Sequence, residues 1–157
     1  ENIFKILSAL NLLDNLSPSE FPPRPFGPIP VISWVQAGDF AEAVDAYPVG
    51  ISGEREPVFS RKKAGPNAFA LVVEGESMQP RFMPGDVIIV DPELGCENGD
   101  LCIVKLNNEV TFKRIYFEGG NVILRPANPK YPDISIRRET DVDFQTIGKV
   151  IDMIPFF

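Results

Sequence analysis

The sequence predicts a mainly β fold: a compact, antiparallel, partly barrelled domain, preceded by one amino-terminal helix and a proline-rich linker. Three observations carry this expectation. The 157 residues include sixteen prolines, about twice the usual share, which cut the chain into short pieces. Short apolar or alternating runs recur between turn residues through the second half of the chain. These runs follow one another too closely for helical crossovers, which excludes a doubly wound parallel sheet.

The elements follow in order. Residues 2–16, NIFKILSALNLLDNL, place Ile3, Phe4, Ile6, Leu7, Leu10, Leu13 and Leu16 at helical spacing, so residues 1–16 read as one amphipathic helix. Residues 17–30, SPSEFPPRPFGPIP, are dense in proline, which excludes helix and central strand and predicts an extended linker. From Val31 the pattern becomes strand-like and breaks at Ala37-Gly38. Residues 44–67 read as a long irregular loop. About six strands then follow: AFALVVEG, DVIIVD, DLCIVKL, EVTFKRIYF, NVILRPAN and TIGKVIDMI. The pair Asn107-Asn108 makes the hairpin turn between the third and fourth.

Composition limits the function. A net charge of −7 without a lysine and arginine cluster argues against this chain holding DNA alone. No run is long and apolar enough for a membrane span, and no signal-peptide pattern is present. The chain opens on Glu1, which fits a piece of something longer. Two cysteines, Cys96 and Cys102, match no zinc spacing and read as small hydrophobes in a reducing cytosol. No metal or other cofactor is expected.

The sequence contains no histidine, so Ser-His-Asp and Cys-His catalysis are both excluded. A nucleophilic serine would need a lysine as its base, and that lysine must be neutral. Burial among apolar neighbours, away from carboxylates, favours the neutral amine. Of the seven lysines, Lys113 fits best. It lies in mid-strand, with Thr111, Ile115 and Phe117 on its own face and Phe112 and Arg114 on the other. Lys105 lies in a strand but close to a hairpin turn. Ser77, in VVEGESMQP, stands in a turn, which explains it without chemistry. A turn also exposes a hydroxyl and lets backbone N–H groups converge on an oxyanion.

At these residues the chain resembles the LexA-type self-cleaving repressors, a family that includes the lambdoid phage repressors and the UmuD mutagenesis proteins. The resemblance rests on Gly75-Glu76-Ser77-Met78, Pro80, Pro84-Gly85-Asp86 and the stretch NGDLCIVKLNNEVTFKRI ending around Lys113. It covers about residues 29–157 and implies a LexA-like autopeptidase and dimerisation domain over 31–157. It implies Ser77 as nucleophile, Lys113 as general base, Met78 and Gly75 as oxyanion and site-shaping residues, and Ala37-Gly38 as the bond cut. Ala64-Gly65 stands in a charged loop before Pro66 and fits less well. Glu76 and Gln36 depart from the family pattern, where Asp and a small apolar residue are common.

The same resemblance implies a phage-type transcriptional repressor whose self-cleavage separates its DNA-binding and dimerising parts. Residues 1–16 would be the last helix of a Cro-type helix-turn-helix domain, and operator DNA would be bound only through that domain. The implied partners are a second copy of the chain and an inducer, either a RecA filament in the SOS response or an antirepressor. The implied location is the cytoplasm of a bacterial host. The alternative is a non-catalytic module with a vestigial site that dimerises, through VIDMIPFF for example, and receives an antirepressor. A membrane signal peptidase of Ser-Lys type is disfavoured by the lack of an anchor.

Overall fold

The computed structural model describes residues 27–40, 55–137, 139 and 142–156. The amino-terminal helix and most of the linker lie outside them. Within the described residues the chain forms β1 (Pro28–Val31), α1 (Trp34–Phe40), β2 (Arg55–Phe59), β3 (Phe69–Val72), β4 (Val87–Asp91), β5 (Leu101–Leu106), β6 (Glu109–Glu118), β7 (Asn121–Arg125), β8 (Ile134–Ile136) and β9 (Phe144–Ile154). The nine strands make one sheet in the order β2-β1-β3-β4-β9-β5-β6-β7-β8. The mainly β, antiparallel expectation holds, but the sheet is open rather than barrelled. Neighbours are antiparallel except β1 and β3, which run parallel and meet at Val31 and Ala70.

The six expected strands correspond to β3, β4, β5, β6, β7 and β9. Three others depart from the sequence reading. β1 starts at Pro28, inside the span read as linker, and lies between β2 and β3. It carries Pro30 at the point where its register with β2 shifts, so the missing N–H falls on an irregularity in the ladder. β2 lies in the span read as loop; it is a sheet edge, which tolerates Pro57. β8 is only three residues long. The expected break at Ala37-Gly38 is also corrected: both residues are inside α1. Cys96 and Cys102 are paired as a disulfide, with Cα atoms 6.3 Å apart, rather than being separate small hydrophobes.

The core explains how the loop after β3 reaches a strand four places away. Phe69, Leu71, Ile88, Val90, Ile103 and Phe112 share one apolar cluster drawn from β3, β4, β5 and β6. Met78 and Phe82, from the β3–β4 loop, are buried in the same cluster. Phe82 meets Phe112 edge to face at 4.9 Å. The loop is thereby drawn across the sheet face. Ala70, Val87 and Ile89 face a second cluster on the other side, so β3 and β4 are buried on both faces.

β9 joins the two halves of the sheet by pairing with both β4 and β5, and each pairing has a register shift. Such bulges bend a strand and add twist. Gly148 sits in this bend. A Cβ there would stand 2.8 Å from Asp91 O and from Val90 Cγ1. Gly148→Ala is expected to destabilise the fold by about 1–3 kcal/mol, the range for overpacking a core. Urea unfolding checks this as a lowered midpoint with an unchanged slope.

Candidate active site

Ser77 and Lys113 meet. Lys113 Nζ donates to Ser77 Oγ at 3.0 Å, joining the β3–β4 loop to β6. Each arrives by a different device. β7 pairs with β6 only from Arg114 to Glu118, so it does not cover the edge of β6 at Lys113. The Ser77 turn occupies the space beside that uncovered stretch. Gly75 starts the turn with φ of +74°, a conformation that costs an L residue strain. The space around its Cα is open, so its role in shaping the turn is conformational. Met78 is 3% exposed and anchors the turn from below.

The surroundings of Lys113 decide its charge. Its side chain is buried, and its other two partners are Thr111 Oγ1 at 2.8 Å and the Phe112 carbonyl at 3.1 Å. No carboxylate contacts it among the described residues. Desolvation by burial therefore pushes the Lys113 amine below the usual lysine range. A neutral amine has two N–H donors and one lone pair. Thr111 and the Phe112 carbonyl can take the two N–H groups, leaving the lone pair directed at the Ser77 hydroxyl. Both protonation states fit this geometry, and the Ser77 contact is where they differ.

Other residues complete the site. A cavity of roughly 220 Å³ is lined by Trp34, Val73, Glu74, Ser77, Met78, Val110, Thr111, Phe112 and Lys113. Trp34, from α1, fixes its indole by donating to the Val72 carbonyl at 2.9 Å. Thr111 was legible only as an uncharged neighbour of Lys113, and nothing in the sequence marked Trp34.

The Ala37-Gly38 bond is close to this cavity but does not line it. Ala37 is fully buried in the cluster that holds Met78, Val73 and Phe112. Its N–H donates to the Ser33 carbonyl at 3.0 Å. Lys105 Nζ donates to the Gly38 carbonyl at 3.4 Å. The start of α1 is capped reciprocally. Gln36 N–H donates to Ser33 Oγ at 3.1 Å, and Ser33 N–H donates to Gln36 Oε1 at 3.0 Å. Gln36, a departure from the family pattern beside Ala37, thus has a helix-capping role. Ala64-Gly65 lies elsewhere, with Gly65 N–H bonded to Asp91 Oδ2 at 2.9 Å.

A serine contacting a buried lysine beside a small cavity defines a class of protein together with this sheet. The chain belongs to the Peptidase S24-like family, whose pattern matches residues 30–151 and so spans both Ser77 and Lys113. Its relatives are named as transcriptional regulators and repressors. It is 40% identical over 117 residues to the HTH-type transcriptional regulator for conjugative element SXT of Vibrio cholerae, covering 70% of this chain and 54% of that protein. It is 36% identical over 136 residues to Repressor protein C2 of Salmonella phage P22, covering 82% and 60%. It is 30% identical over 134 residues to the LexA repressor of Desulfatibacillum aliphaticivorans, covering 85% and 64%. The chain thus spans only about half to two thirds of the length of these relatives. Among the described residues no helix is long and apolar enough to cross a membrane.

Titration of lysine side chains by carbon NMR on the Cε resonances checks the electrostatics. One resonance, absent from Lys113→Met, is expected to titrate below the ordinary value of 10.5. Titration of that resonance at or above the ordinary value would remove the argument for a neutral amine.

Proposed function

We propose that this chain is the latent self-cleaving domain of a transcriptional repressor, with Ser77 as nucleophile, Lys113 as general base and Ala37-Gly38 as the bond cut. The observation that carries the reading is the 3.0 Å contact between Lys113 Nζ and Ser77 Oγ, made without a carboxylate partner among the described residues. Neutral Lys113 takes the Ser77 hydroxyl proton as Oγ attacks the Ala37 carbonyl carbon. Backbone N–H groups of the Ser77 turn stabilise the oxyanion. The Lys113 ammonium then protonates the Gly38 nitrogen as the C–N bond breaks. Water, deprotonated by Lys113, hydrolyses the ester between Ala37 and Ser77. The site needs no cofactor.

Cleavage requires α1 to unwind, because Ala37 and Gly38 lie within the helix and Ala37 is fully buried. The helix is therefore the resting form, and an extended form is the substrate. Every ~1.4 kcal/mol favouring the helix lowers the reactive population about tenfold. In the full-length repressor, cleavage would part the DNA-binding half from a dimerising half, and operator affinity would fall by loss of avidity. Self-association through the carboxyl end fits Phe156, 68% exposed and stacked beside Gly85, with Met83 also exposed. A RecA filament or an antirepressor would act by favouring the extended form.

Incubation at pH values from ~7 to ~10 should release fragments broken after Ala37, faster as the pH rises, because only the deprotonated amine is active. The sign follows from the lowered Lys113 pKa: the rate climbs through that value and levels off above it. Ser77→Ala and Lys113→Ala should each abolish the fragments in a mass spectrum. An intact wild type at every pH, with or without activated RecA, would defeat self-cleavage and leave a binding module.

The capping box gives a test of latency. Ser33→Ala removes a cap contributing about 1 kcal/mol and should speed cleavage roughly fivefold. A cleavage time course beside the wild type measures it. An unchanged or slower rate would show that unwinding of α1 does not limit the reaction.

A further inference from the structure

We infer that Asn128 is a positioning residue for the nucleophile, gripping both peptide units that flank Ser77. The inference rests on the self-cleavage reading above. Asn128 N–H donates to the Ser77 carbonyl at 2.9 Å, and its side-chain Nδ2 donates to the Glu76 carbonyl at 3.0 Å. The first bond holds the Ser77–Met78 peptide and the second holds the Glu76–Ser77 peptide. One residue from the β7–β8 connection thus fixes the planes on both sides of the Ser77 Cα. Fixing both planes fixes the direction of its Cβ, and with it the approach of Oγ to Lys113.

The grip also aims the oxyanion donors. In a trans peptide the carbonyl and the following N–H point in opposite directions. Pulling the Glu76 carbonyl toward Asn128 turns the Ser77 N–H away from it, and pulling the Ser77 carbonyl does the same for the Met78 N–H. Among the described residues neither of these amides donates to a protein acceptor. They are free for developing negative charge, and Asn128 holds them from behind.

Asn128 is itself held. Lys130 N–H donates to its Oδ1 at 3.0 Å, which fixes which end of the side-chain amide faces Glu76. Tyr131 N–H donates to its carbonyl at 3.1 Å. The neighbouring Ala127 N–H donates to the Met78 sulfur at 3.4 Å, a second tie between the same two loops. The base of the loop is closed by Arg125 and Asp133, 3.0 Å apart.

The test compares self-cleavage of the whole chain across alkaline pH for the wild type, Asn128→Ala and Asn128→Ser. The serine variant keeps an acceptor for the Lys130 N–H but cannot reach the Glu76 carbonyl, so it preserves the loop turn. Both variants should lower the plateau rate by roughly tenfold, less than the 10²–10³ for removing a donor outright. The midpoint of the pH profile should stay at the wild-type value, since Asn128 does not touch Lys113. Melting temperatures should remain above the incubation temperature, with Asn128→Ser the better folded. Plateau rates within about twofold of wild type in a folded variant would overturn the role. So would a shifted midpoint with a full plateau, which would mean that Asn128 acts on the lysine. A wild type that stays whole at every pH defeats the self-cleavage reading and this role together; a cleaving wild type with equally active variants defeats this role alone.

Discussion

The arrangement around Ser77 depends on keeping one lysine out of water and, among the described residues, away from any carboxylate. An amine in ordinary surroundings holds its proton and cannot serve as a base. Pairing it with an acid would stabilise the charge further. At Lys113 the fold offers a hydroxyl, a backbone carbonyl and Ser77, all neutral. The acidic composition makes this selective, since 22 carboxylates outnumber 15 lysines and arginines. Three buried aspartates, Asp86, Asp91 and Asp152, spend their oxygens elsewhere: on turn amides at residues 83 and 156, on Gly65 and Glu93, and on Ser60 and Arg61.

A second buried lysine sharpens the point. Lys105 lies on β5 and reaches the Gly38 carbonyl, while Lys113 lies on β6 and reaches Ser77. Lys105 pairs across the strands with Val110, whereas Lys113 pairs with Cys102. Directly opposed residues share a face, so Lys105 and Lys113 leave their strands on opposite faces, and Lys113 reaches the cavity beside Trp34 at the edge of β6. Lys105 holds the Ala37-Gly38 segment in its helix; Lys113 contacts the hydroxyl. Alternation along the strand separates the two roles.

Much of this was legible in the sequence. Six strands stood out because apolar runs such as DVIIVD are bounded by turn residues, and the lack of histidine, mid-strand position and strand phasing together pointed to Lys113. β1, β2 and β8 were missed for reasons of scale and chemistry. Proline in β1 and β2 argues against strand unless the residue falls on a bulge or an edge, and pairing partners decide that. The three residues of β8 carry almost no periodic signal. The Ala37-Gly38 pair read as a break because glycine is a poor helix former, yet Ser33 and Gln36 spell a capping box just upstream. Asn128 had no local signal, since its contacts reach back 51 and 52 positions, to Ser77 and Glu76.

That last case explains why a turn rather than a strand carries the serine. A strand would commit the backbone N–H groups around Ser77 to a ladder, leaving none for an oxyanion. A free turn would leave them unaimed. The β3–β4 loop is intermediate: its apolar residues Met78 and Phe82 sink into the core, while the peptides beside Ser77 are held only through their carbonyls. Holding a peptide by its oxygen fixes the direction of its N–H without occupying it. The same economy governs α1, where capping and burial hold the Ala37-Gly38 bond in a helix near the site but outside the lining of its cavity. Groups kept in position yet unspent beside the cavity are what the proposed self-cleavage would require.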